Sequence, residues 1–324
     1  MQAEISDRAH GCLAGVVIGD AMGAPASFLT RQEIRRIHGR IDSFKGSDLT
    51  DDTRETMIIA EALAESGEFR EEAFRRAMKE WALSERILEG DLIGPATRKF
   101  LTALMEGKDT RAGARTADTN GSAMRVAPIG IRHYRDFGLC MKTAAESSFP
   151  SHGSAPAVAA ACAVAVAVAA GVRGGLSIGQ VMEEAYLAAK YGESVGFDVP
   201  APKVSSRIAL AVRIVEENSG KGVDGTAREL ADVLGAGMKA YESAPFSLGV
   251  FLAAGGDPAA GIVAAVNTGD DADTNGSICG ALCGAFAGEA AMPGNWMEEI
   301  RKRSGLNLTG IIEGLLCGKE EGMK

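Results

Sequence analysis

Apolar residues recur every three or four positions in ten separate stretches of this chain, and alternation with a period of two is close to absent. Such spacing lines up one face of a helix, whereas a half-buried strand would show every second residue apolar. The stretches are 8–19, 53–66, 71–83, 157–172, 178–191, 205–218, 225–234, 258–267, 274–290 and 308–316. Pro156 and Pro258 stand where a helix begins, and Gly19, Gly67, Gly192 and Gly220 stand where one stops. The expectation is an all-α fold of ten or more helices.

Two short acidic stretches near opposite ends of the chain each open one of these segments: Thr50-Asp51-Asp52-Thr53 and Asp270-Asp271-Ala272-Asp273-Thr274. A Thr or Asp at a helix start ordinarily caps the free N–H groups of the first turn. One cap needs one oxygen, yet each stretch holds two or three carboxylates and a Thr hydroxyl. The helix dipole offsets roughly 0.3–1 kcal/mol per well-placed charge, less than the mutual repulsion of such neighbours. Either stretch alone reads as a capped or solvated turn, but the two together read as halves of one metal site. Carboxylate and hydroxyl oxygens without His or Cys suit hard cations, so Mg²⁺ or Mn²⁺ is expected, with Ca²⁺ admissible and Zn²⁺ disfavoured. Four or five acids exceed what one Mg²⁺ takes, which points to two ions about 3.5–4 Å apart sharing a bridging carboxylate. Neither stretch has the alternating ligands, central Gly and final Glu of an EF-hand loop.

With 324 residues, 46% of them hydrophobic, the chain can bury a large core. No Pro/Ser-rich linker or charge block divides it, and the acidic stretches, about 220 residues apart, need each other. The expectation is a single domain over residues 1–324. The net charge is −9 with scattered basic residues, which argues against general nucleic-acid binding through phosphate neutralisation. Cys12, Cys140, Cys162, Cys279, Cys283 and Cys317 read as small hydrophobes of a reducing, cytoplasmic setting. No signal peptide is evident at the start of the sequence. The Ala/Val-rich run 155–172 is poor in Leu, Ile and Phe, and reads as a central packed helix in preference to a membrane span. Gly is frequent, at 41 residues, and Gly19, Gly23, Gly94, Gly121, Gly153, Gly269 and Gly276 read as turns or crowded helix starts.

Two further loops hold candidate ligand contacts. Asn120-Gly121-Ser122-Ala123-Met124-Arg125 reads either as a capped helix start or as a set of N–H groups for a phosphate or diphosphate. Ser148-Phe149-Pro150-Ser151-His152-Gly153-Ser154 precedes the Ala-rich helix, with His152 as a ligand contact or a local hydrogen-bonding residue. Nucleophile-elbow, Walker A and His-Glu-x-x-His motifs are absent, and Rossmann chemistry would need strands.

Taken in order, the run Gly11 to Pro25, Thr50 to Thr53, Asn120 to Arg125, His152 and Gly269 to Gly284 resembles the ADP-ribosylglycohydrolase family, of the dinitrogenase reductase-activating glycohydrolase type. The resemblance spans nearly the whole chain. It implies a compact orthogonal multi-helix bundle with a binuclear Mg²⁺ or Mn²⁺ centre at the base of a cleft. It further implies that Thr50, Asp51, Asp52, Asp271, Asp273 and Thr274 bind the metals, while Asn120, Gly121, Ser122, Met124 and His152 line the ADP-ribose cleft. In such enzymes the metals hold the ribose 2′- and 3′-hydroxyls and a water near C1′; an Asp can take the proton of that water, and Asp51 or Asp271 is the candidate acceptor here.

The implied activity is glycosidic cleavage at ribose C1′ of an ADP-ribosylated protein or a small ADP-ribosyl conjugate, arginine-linked first, by a monomer. A nucleosidase-like hydrolase of smaller ribosides and a non-catalytic ADP-ribose binder are the alternatives. Two positions depart from the family pattern. Ser27 stands where many relatives carry Glu, and Asp270 replaces the second Gly of Gly-Gly-Asp-x-Asp-Thr, adding a carboxylate that is a candidate ligand or ligand partner.

Overall fold

The structure, a computed structural model, describes residues 2–46, 49–90, 92–303 and 305–317. Helix α1 spans Gln2–Gly23, α2 Arg31–His38, α3 Asp51–Ser66, α4 Glu71–Ser84, α5 Pro95–Met105 and α6 Arg111–Ala114. Next come α7 Gly121–Met124, α8 Ala127–Arg132, α9 Phe137–Ser148, α10 Ala155–Arg173, α11 Ile178–Val195 and α12 Val204–Glu217. The chain continues with α13 Gly222–Leu234, α14 Ala240–Ala253, α15 Pro258–Val266, α16 Ala272–Ala287, α17 Gly294–Arg303 and α18 Leu308–Cys317. Among the described residues there is no strand, only two isolated bridge pairs at Thr119 with Lys239 and Ser154 with Phe197. The all-α expectation holds.

Helix α10 runs through the middle of the core, buried from Pro156 to Val172, with α7, α8, α9, α11, α14 and α16 packed around it. Ala supplies helix propensity here, and the small side chains let every neighbour come close. Pro156 falls in its first turn, where the lost N–H costs nothing. This helix is long and apolar enough to cross a membrane, yet 94% of its most apolar window is buried against the rest of the chain.

The most extensive helix pair is α1 with α16. The two run antiparallel along a seam of glycines spaced by four. Gly11, Gly15 and Gly19 of α1 face Gly284, Gly280 and Gly276 of α16. A Cβ on Gly15 or Gly19 would lie 2.0 Å from the carbonyl oxygen of Gly280 or Gly276, so the two backbones touch and no other residue fits. The seam corrects two readings made from sequence. Gly19 does not stop α1, which continues another turn to Gly23, and Gly19 and Gly23 belong to this contact, not to turns, while Gly276 is a crowded helix start as read. Gly192 likewise lies inside α11, because a Cβ there would meet the Ala159 backbone at 2.5 Å. Gly67 does end α3, at φ 78°.

Candidate metal centre and cleft

The glycine seam delivers the start of α16 beside the end of α1, and there the acidic helix starts meet. Thr274 donates its hydroxyl to Asp52 Oδ2 at 3.2 Å, joining residues 222 apart in sequence. Asp51, Asp52, Asp271, Asp273 and Thr274 line one cavity of about 250 Å³ together with Asn120, Gly121, Met124 and His152. Thr97, Thr119, Met238, Phe28 and Leu92 complete much of its wall. Two expected contacts lie elsewhere. Thr50 caps α3 by accepting the Asp52 N–H, and the buried Ser122 hydroxyl donates to the Ala157 carbonyl.

The start of α3 is held by a residue that the sequence reading passed over. Asp20, a fully buried carboxylate in the apolar run of α1, accepts from the N–H and hydroxyl of both Thr50 and Thr53, at 2.5–3.3 Å. An Asp inside an otherwise apolar helical run is the signal that could have found it, since a buried charge needs partners. Burial pushes its pKa up to about 6, while the Thr hydrogen bonds pull the other way.

The start of α16 is held differently. Asn120 donates its side-chain amide to Asp271 Oδ2 at 2.5 Å, and the Ser27 hydroxyl accepts the Asp273 N–H at 3.2 Å. Asn275, one turn in, donates to the Ala236 carbonyl and accepts from Ser243 and Ser247. Asp270 is exposed with its backbone at φ 57°, and its carbonyl accepts the N–H of Phe28, itself at φ 62°. That left-handed conformation suits Gly, and Asp tolerates it better than most residues. Its side chain does not line the cavity.

Burial raises the carboxyls of Asp51, Asp52 and Asp271 well above the ordinary range, and neighbouring charges add to it: Glu55 on Asp51, and Asp273 on Asp52 and Asp271. Asp52 Oδ1 is buried with no hydrogen-bond partner. Among the described residues no three His, Cys, Asp or Glu side chains form a ready cage for an ion. In kind, the donor set fits a hard divalent cation: crowded carboxylate oxygens, a Thr hydroxyl and one carboxylate oxygen left unpaired.

Behind the cavity lies a buried polar cluster. Arg125, fully buried, donates to Glu55 Oε2 at 2.5 Å and stacks over the Phe74 ring. His152, 1% exposed, is kept neutral by burial first and then by the Arg125 charge.

A solved structure titled an ADP-ribosylglycohydrolase-related protein complex superposes with a TM-score of 0.71, covering 97% of this chain and 99% of that one at 24% identity, a likeness of fold. An uncharacterized protein of Archaeoglobus fulgidus is 30% identical over 308 residues, covering 92% of this chain and 93% of its own. The ADP-ribosylarginine hydrolase Tri1 of Serratia proteamaculans is 25% identical over 314 residues, covering 92% of this chain and 76% of its own. Residues 1–320 match the ADP-ribosylglycohydrolase family, and the chain belongs to that family.

Proposed function

We propose that this protein is a divalent-metal-dependent hydrolase that cleaves the glycosidic bond at ribose C1′ of ADP-ribosylated protein side chains, arginine-linked ones first. The observation that carries this reading is the meeting of the two acidic helix starts on a cavity shared with Asn120, Gly121, Met124 and His152. The arginine linkage is supported by the name of the Serratia relative. On this reading Asp51, Asp52, Asp271, Asp273 and Thr274 would hold two Mg²⁺ or Mn²⁺ ions, with Thr50 at the edge of the set, its hydroxyl 3.4 Å from Asp52 Oδ2. Bound there, the ions supply Lewis acidity and fixed positive charge beside the sugar.

Cleavage at C1′ passes through an oxocarbenium-like state and needs nearby negative charge, a placed water and an acceptor for its proton. The acidic walls of the cavity provide the charge. Asp51 lines the cavity, accepts no side-chain hydrogen bond among the described residues and is free to take the proton of the attacking water. Asp271 already accepts the Asn120 amide, which suits a ligand held in one orientation. Both halves of the cleft come from one chain, so we take the working unit to be a monomer.

A second reading, a hydrolase of smaller ribosides, is favoured by the cavity size. About 250 Å³ falls just under the usual range of roughly 300–1,000 Å³ for small-molecule sites. Release of free ADP-ribose from arginine-linked ADP-ribosyl protein, with Mg²⁺ or Mn²⁺ and with EDTA, separates the two. Release that requires metal and is lost in Asp271→Asn establishes the first reading. No release, with metal-dependent hydrolysis of a simple riboside, replaces it by the second.

A further inference from the structure

The cluster behind the cavity has a direction. Guanidinium groups only donate, so Arg125 Nη2 donates to Ser151 Oγ at 2.7 Å. The Ser151 hydroxyl then has one proton to give, and the only acceptor it meets among the described residues is His152 Nδ1 at 2.8 Å. With Nδ1 accepting, the proton of a neutral imidazole sits on Nε2, which lies 3.2 Å from Thr119 Oγ1. The Thr119 hydroxyl accepts that N–H and meets no other protein acceptor among the described residues, so its own proton is left for the cavity. His152 and Thr119 both line the cavity. The opposite tautomer would leave the Ser151 proton without an acceptor in a group only 2% exposed, where an unpaired donor is costly. Gly121 makes room for this arrangement, because a Cβ there would stand 2.7 Å from His152 Nε2.

We propose that Arg125 sets, through Ser151, the Nε2–H tautomer of His152, so that the Thr119 hydroxyl, which accepts that N–H, turns its own proton toward a ligand in the cavity. Arg125 and Ser151 are positioning residues in this arrangement. Thr119 then donates to an acceptor oxygen of the ligand, while His152, with Nδ1 and Nε2 both engaged, takes no proton from it. The identity of the ligand rests on the ADP-ribosyl reading above, whereas the tautomer does not.

The chain has four histidines, so a two-bond ¹H–¹⁵N correlation spectrum of the full protein resolves few imidazoles, with His152→Gln assigning the signal. The expected result is a bare Nδ1 and a protonated Nε2 in the wild-type protein, and a mixed or reversed pattern in Ser151→Ala. A protonated Nδ1 in the wild type overturns the proposal, as does an unchanged tautomer in Ser151→Ala. Calorimetry with ADP-ribose tests the wall itself. His152→Gln, which keeps an N–H donor, should bind within a few-fold of wild type, and His152→Leu about tenfold more weakly. Equal binding by both variants overturns the donor role. Failure of the wild type to bind ADP-ribose overturns the functional reading and leaves the tautomer to be decided by the spectrum.

Discussion

The two acidic helix starts carry similar residues and are supported in opposite ways. The start of α3 rests on polar scaffolding, a single buried Asp20 accepting four donors from Thr50 and Thr53. The start of α16 rests on backbone packing along the glycine seam, with Asn120, Ser27 and Asn275 trimming its orientation. Polar scaffolding can loosen one bond at a time. A seam in which backbones touch has no intermediate setting, because interiors packed at that density do not yield by small steps.

The difference can be broken most severely at the seam. Gly280→Ala puts a Cβ 2.1 Å from the Gly15 carbonyl oxygen, and the expected loss in urea unfolding is about 3 kcal/mol or more. A loss under about 1 kcal/mol would show that the helices can part at little cost. Next in size is Asp20→Ala, which strands two backbone N–H groups and two hydroxyls, for an expected loss of about 2–4 kcal/mol on the same measurement. Its Mg²⁺ affinity by calorimetry should fall too, since α3 loses its anchor.

Asn120→Ala sharpens the comparison, because it touches orientation more than stability. Loss of the amide on Asp271 should lower metal affinity about tenfold with a small change in melting temperature. The reverse pattern would make Asn120 a structural residue. The smallest effect is expected from Ser27→Ala, which removes the acceptor of the Asp273 N–H at the helix start and should cost about 1 kcal/mol.

Periodicity made helices legible where one face is apolar, as in α3, α4 and α12, and local density of charge made both acidic starts legible. Helix α14 escaped because it is apolar on nearly every face and carries Pro245 in its interior, so neither period nor punctuation marks it. The seam escaped for a related reason. A glycine is an ordinary helix stop unless a second backbone demands its place, and that demand comes from more than two hundred residues away. Asp20 was hidden by being single, and the Arg125 pairing with Glu55 by a separation of 70 residues. Family resemblance supplied the motif around Arg125 without its partner. Ser27 was legible only as a departure, and its hydrogen bond to Asp273 shows how that position is used here.

The seam also governs when the protein can begin to exist as a folded object. Its two strips of glycine lie more than two hundred residues apart, so a ribosome has emitted everything between them before α1 meets α16. Until then α1 exposes an apolar surface that no earlier helix is shaped to cover as closely. Contacts of such sequence separation are slow to form, and partly made chains with exposed apolar faces aggregate. Synthesis of this protein is therefore close to all-or-none: a nascent chain stopped before α16 has only one half of its principal helix pair and an incomplete cleft.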